Sequence, residues 1–144
     1  MEDNQDTIDL ARQTRDSVSA LARRMRQERP AHGLGLTSTS VLSRLDRAGA
    51  LSPKELAARE GVQPQSLTRQ LSALEERGLI TRRPHDRDGR QVLMEITDAG
   101  RHLVETDRQS RDAWLAQAIA TRLTTVEREV LCAANKLLDL LSET

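Results

Sequence analysis

The sequence predicts a mainly α-helical chain with one small β-hairpin. Three observations carry this. Apolar residues recur at helical spacing over most of the chain. Proline, glycine and Ser/Thr cap residues stand where such helices would start and stop. One stretch, Leu79 to Ile96, holds two β-prone runs around a polar turn. The 144 residues are enough for one domain. With no Phe or Tyr, and Trp114 the sole aromatic residue, its core is built from Leu, Val, Ile, Ala and Met.

Ile8, Ala11, Val18, Leu21, Ala22 and Met25 form a helical stripe, ended by Pro30-Ala31-His32-Gly33-Leu34-Gly35. Thr37 is placed to cap a second helix, with Val41, Leu42, Leu45 and Ala48 facing inward and Gly49 closing it. Ser52-Pro53-Lys54-Glu55 combines an N-cap serine, a first-turn proline and the glutamate of a capping box. That third helix carries Leu56 and Ala57 and stops at Gly61. Gln63-Pro64 opens a fourth helix, in which Leu67, Leu71 and Leu74 make one seam and Gly78 is the stop. Two short helices across a tight Gly-containing turn are a helix-turn-helix pattern. The hairpin follows, with Val92, Met94 and Ile96 alternating with Leu93 and Glu95. Thr97 is placed to cap a long helix carrying Leu103, Val104, Trp114, Leu115, Ala118 and Ile119. Thr124 and Glu127 form a second capping box before a last helix, with Val126, Val130, Ala133, Ala134, Leu137, Leu138 and Leu141 on one side.

Composition excludes several functions. A lone cysteine, Cys132, makes no intramolecular disulfide, which rules out a stapled secreted scaffold. No apolar run approaches the ~20 residues of a membrane span. The acidic start, with Glu2, Asp3, Asp6 and Asp9, does not resemble a signal peptide, so a soluble cytoplasmic protein without membrane partners is expected. There is no Gly-rich phosphate loop, and His32, His85 and His102 are scattered, so neither cofactor nor metal is expected. Without a nucleophile–base pair, an enzyme is not expected.

The fourth helix suggests binding. At 100° per residue, Gln65, Arg69, Ser72 and Glu76 point away from the leucine seam, and Ser66 and Thr68 flank them near the helix start. Guanidinium, amide and hydroxyl groups read base edges, and the second helix of this motif enters the major groove N-terminus first. The turn adds Arg82, Arg83, Arg87 and Arg90 interleaved with Asp86 and Asp88. An arginine at a hairpin tip suits a narrow minor groove, and Asp88 is placed to pair with Arg90, leaving Arg87 outermost. The same residues also describe an ordinary solvated helical surface. The net charge of zero argues against a general nucleic-acid coat, although from Arg69 to Arg90 six arginines face four acids.

Leu74-Glu75-Glu76-Arg77-Gly78-Leu79, the Arg82-Arg83 pair followed by Asp88-Gly89-Arg90, and Ile96-Thr97-Asp98-Ala99-Gly100, all in register, resemble the MarR family of bacterial transcription regulators. The resemblance implies a winged helix-turn-helix DNA-binding region over 35–97, with 1–34 and 98–144 as a helical dimerisation base. It implies a homodimer on a palindromic double-stranded operator, most simply as a repressor. Carried over by position, Gln65, Ser66, Thr68 and Arg69 read the major groove. Arg90, held by Asp88, is the wing arginine; Arg83 or Arg87 touches phosphate or the minor groove; Thr37 and Ser38 meet the backbone. The family also implies release by a small anionic or aromatic ligand. Peroxide-sensing members carry their reactive cysteine in the first helix near tyrosines, so Cys132 reads instead as a buried small apolar residue. Trp114 reads as an anchor between long helices, or as a wall for an aromatic ligand. A winged-helix module that binds protein rather than DNA is the alternative.

Overall fold

The computed structural model describes residues 2–28, 32–85 and 87–143, without the side chains of Glu2 and Asp3. Pro30 and Ala31, read as helix breakers, and Asp86 of the turn lie outside the described residues. The order is α1 (Glu2–Gln27), α2 (Leu36–Ala48), α3 (Pro53–Glu60), α4 (Pro64–Glu76), β1 (Ile80–Pro84), β2 (Val92–Ile96), α5 (Asp98–Arg122) and α6 (Thr125–Ser142). The structure is thus mainly α with one antiparallel hairpin, β1 pairing β2 from Ile80↔Ile96 to Pro84↔Val92. Two compact units divide the chain, one of Pro30–Arg108 and one of Met1–Arg29 with Gln109–Thr144.

The first unit has an aliphatic core. Val41, Leu42 and Leu45 of α2, Leu56 and Ala57 of α3, and Leu67, Leu71 and Leu74 of α4 are buried together with Ile80, Met94, Ile96 and Val104. Each leucine removed from water contributes about 1.5–3 kcal/mol, and this holds the short α3 and α4, which could not persist alone. Leu51 extends the hairpin by a bridge to Met94, its N–H and C=O bonding Met94 at 3.0 and 2.8 Å.

Local chemistry sets the boundaries. Ser52 and Glu55 form the expected capping box of α3, and the α4 terminus is a glycine turn. Gly78 has φ +68°, its N–H bonds Glu75 O at 2.9 Å, and the Leu79 N–H bonds Leu74 O at 3.0 Å. That pair of bonds is a Schellman motif. Thr97 then caps α5 and ties it back: its hydroxyl accepts from the Gly100 N–H at 3.2 Å and donates to the Gly78 carbonyl at 2.6 Å.

In α2 and β2 three expectations need correction. Thr37 does not cap α2. Gly35, extended at φ −72° and ψ 169°, is the N-cap, and Thr37 lies inside the first turn. Ala48 is exposed rather than inward, because it falls in the last turn of α2. Strict alternation fails in β2, where Val92 is exposed and Leu93 buried, since the strand leaves the core toward the turn.

The second unit contains α1, the later part of α5, and α6. Arg24 of α1 lies 4.5 Å above the ring of Trp114 on α5, so the half-buried indole faces α1. Arg128 of α6 donates to Ala120 O and Leu123 O at 3.0 and 3.2 Å, closing the α5 terminus. The second capping box, Thr124 with Glu127, starts α6 as expected. No residue of α6 is buried in the single chain. Cys132 is accordingly exposed, contrary to the expectation of burial. An apolar helix face buries its residues only where another surface covers it.

Candidate nucleic-acid interface

α4 is divided lengthwise by its seam. Leu67, Leu71 and Leu74 are buried, while Gln65, Ser66, Thr68 and Arg69 are all exposed. Arg69 makes no ion pair or hydrogen bond among the described residues, so its guanidinium is available in full. Thr68 donates its hydroxyl to Pro64 O at 3.2 Å and keeps its lone pairs as acceptors. Ser72, on the same side, is half-buried. Gln63 occupies the N-cap of α4 with no side-chain cap bond; Pro64 has no N–H to match, and the Ser66 N–H donates to Gln63 O at 3.0 Å.

The hairpin sorts its arginines into two kinds. At its root Arg82 pairs with Glu75 of α4 at 2.8 Å, and Arg83 pairs with Glu95 of β2 at 3.3 Å. These guanidiniums brace the hairpin, Arg82 against α4 and Arg83 against its own partner strand. At the tip Arg87 and Arg90 are exposed, with no side-chain partner among the described residues. Asp88 does not pair with the Arg90 guanidinium as expected. Its carboxylate accepts the Arg90 backbone N–H at 3.1 Å and the Gln91 side-chain amide at 3.4 Å. A short acid folds back on its own turn more readily than it reaches a long neighbour. The Arg90 guanidinium is thereby left without a partner among the described residues.

His85 was not singled out for the turn, yet it organises it. Its Nδ1 faces the N–H groups of Arg87 and Asp88 at 3.2 and 3.3 Å, and its own N–H donates to Gln91 O at 2.9 Å. A ring acceptor directly after Pro84 is the signal that sequence reading passed over.

Thr37 and Ser38 stand half-buried in the first turn of α2. In the capping box of α3, the Glu55 carboxyl is held below its ordinary range, first by the backbone N–H of Ser52 and then by its hydroxyl, both at 2.8 Å. The pair His32–Asp107, 2.9 Å apart, is by contrast largely buried. Asp107 lies one turn beyond buried Val104 on α5, and a carboxylate on an inward helix face needs a partner. That was the available clue.

No group of three or more His, Cys, Asp or Glu among the described residues could hold a metal ion. No helix among them is long and apolar enough to cross a membrane.

Comparison with known proteins decides the family. The profile described as MarR family matches residues 34–92. An HTH-type transcriptional regulator of Mycobacterium bovis is 40% identical over 128 residues, covering 88% of this chain and 89% of its own. The chain belongs to the MarR family of transcriptional regulators. A crystal structure from Pseudomonas aeruginosa of a protein assigned as a transcriptional regulator superposes with TM-score 0.86 at 34% identity, covering 98% of this chain and 97% of its own. Wild-type Escherichia coli MarR, in its apo form, gives TM-score 0.71 at 26% identity over 90% of this chain and 96% of its own. MarR-family members are transcription regulators and not enzymes, and α3, α4 and the hairpin are this regulator's winged helix-turn-helix.

Proposed function

We propose that this MarR-family regulator works as a homodimer that lays α4 of each protomer into consecutive major grooves of a palindromic operator, about 34–36 Å apart. The carrying observation is the lengthwise division of α4: three buried leucines orient an exposed face of Gln65, Ser66, Thr68 and Arg69, the last unpaired among the described residues. On this reading Gln65 and Arg69 contact base edges, with Ser66 and Thr68 beside them. Arg87 and Arg90 at the hairpin tip reach the minor groove or its phosphates, over a turn shaped by Asp88. Thr37 and Ser38 approach the DNA backbone from the α2 terminus. Arg83, paired with Glu95, contributes to DNA only if it exchanges that partner for a phosphate, so it ranks below the tip arginines.

Dimerisation through 1–34 and 98–144 is supported by the apolar residues that the single chain leaves open. Val126, Val130, Leu137, Leu140 and Leu141 of α6 and Leu10 of α1 are each more than three-fifths exposed. That much apolar surface on one helix calls for a covering partner. Repression is the simplest mode, since a dimer seated on an operator excludes other proteins. An HTH-type transcriptional repressor of Bacillus subtilis is 32% identical over 66% of this chain. Release by a small anionic or aromatic ligand completes the proposal, and a cytoplasmic location goes with it.

The test is binding to a duplex that the protein selects from a random-sequence pool, followed by fluorescence anisotropy from about 50 to 200 mM salt. Neutralised phosphates release counterions, so the logarithm of affinity should fall steeply, by about 0.9 per phosphate contact per decade of salt. A flat salt response, or no duplex selected, would mean that the exposed α4 face serves another partner.

A further inference from the structure

His32 is engaged at three points. Its Nε2 is 2.9 Å from Asp107 Oδ1 on α5. Its Nδ1 accepts the Leu34 backbone N–H at 3.1 Å, which places the ring proton on Nε2, aimed at the carboxylate. Its carbonyl accepts from Arg77 Nη2 at 2.7 Å, and Arg77 is the C-cap of α4. The two side chains of the pair are 11% and 1% exposed. Neither can touch a nucleic acid, so any part they play in binding is through placement.

The geometry points to His32 and Asp107 as positioning residues for the recognition helix. Asp107 orients the ring; the ring and the Leu34 N–H hold the short segment 32–34; and the carbonyl of that segment holds Arg77. The C-terminal end of α4 is in this way tied to α5 within one compact unit. This inference rests on the reading that α4 enters the groove.

Leverage explains why such a tie matters. From Gln65 to Arg77 the helix rises about 18 Å at 1.5 Å per residue. A tilt of about 5° at the Arg77 end therefore moves the reading end by about 1.6 Å, more than half a hydrogen-bond length. The leucine seam opposes separation of α4 from the core, but apolar contact is non-directional; the Thr97 hydroxyl already joins the start of α5 to the Gly78 carbonyl, and the His32 carbonyl adds a second directed hold, on Arg77 itself. A charged, buried hydrogen bond is a poor device for stability alone, because apolar residues of similar volume often serve as well. What it adds is direction.

The experiment uses the full chain, the selected duplex and four variants. Nitrogen NMR of the histidine rings should find His32 as the Nε2–H tautomer in the wild type. Asp107→Ala should weaken duplex binding by about tenfold, the loss expected when a charged hydrogen bond is removed. Asp107→Asn, which keeps an Oδ1 acceptor, should stay within about threefold of the wild type. Arg77→Ala alters only an exposed side chain; it should also lose about tenfold, with the salt slope unchanged, because a positioning residue neutralises no phosphate. The variant combining Asp107→Ala with Arg77→Ala should be no worse than either alone, as one tie is broken twice. Should Asp107→Ala fail to fold, Arg77→Ala and Asp107→Asn still decide. Asn as damaging as Ala, wild-type binding by Arg77→Ala, or a salt slope lowered by about one in Arg77→Ala would each overturn the inference. If the wild type selects no duplex, the DNA reading itself falls and the inference with it; if the wild type binds and the variants bind equally, only the tie is lost.

Discussion

Single side chains divide this surface into groups that are occupied and groups that are available. Arg69, Arg87 and Arg90 have no partner among the described residues, whereas Arg82 and Arg83 are held by Glu75 and Glu95. The distinction matters because a guanidinium already paired must give up one carboxylate before it gains a phosphate or a guanine. Arg69→Ala should therefore cost about 1–3 kcal/mol of operator binding and relax preference at one base position, measured by repeating the selection with the variant. An unchanged base preference would place Arg69 on phosphate or off the DNA. Sequence reading found Arg69 because helical periodicity alone sets which side of α4 faces out. It did not separate Arg83 from the tip arginines, since the partner of Arg83, Glu95, lies on the opposite strand.

At the scale of elements, the short helices are cut by local signals and held by close approach. The capping boxes at Ser52 and Thr124 and the Gly78 stop are legible in four to six residues of sequence, because the bonds that define them are local. Gly100 is different. A Cβ there would lie 2.2 Å from the Leu79 carbonyl oxygen and 2.7 Å from Ile96 Cγ1. The glycine of the Ile96–Gly100 motif thus lets α5 cross directly over the chain leaving α4, while Thr97 bonds Gly78 beside it. Gly100→Ala should destabilise the fold by about 2–3 kcal/mol, outweighing the roughly 1 kcal/mol that alanine gains over glycine inside a helix. Urea unfolding measures it. A variant as stable as the wild type would mean that α5 does not press on Leu79.

For the whole molecule, the decisive feature is apolar surface without cover. Leu137 and Leu141 on α6 are 62% and 71% exposed, a poor arrangement for a protein in water and a natural one for half of a dimer. Replacing both Leu137 and Leu141 by Glu should shift the protein from dimer to monomer, because an unpaired carboxylate at an apolar interface costs about 3–5 kcal/mol. Sedimentation would show the mass halved with helix content kept, and operator affinity should collapse as the second recognition helix is lost. If the wild type itself sediments as a monomer, the proposed dimer is wrong.

The amino-acid order alone determined α3, α4 and the start of α6 to within a residue or two, the leucine seam, and hence which face of α4 meets solvent. These depend on interactions a few residues apart. Only the tertiary structure decided that Gly35 rather than Thr37 caps α2, that Asp88 bonds the Arg90 backbone N–H instead of its guanidinium, and that His32 finds Asp107 seventy-five residues away. It also left Cys132 exposed where its apolar neighbours suggested burial. Each of these outcomes is a choice among several chemically adequate partners. The chain's path through space, which brings one partner within 3 Å and leaves the others out of reach, makes that choice.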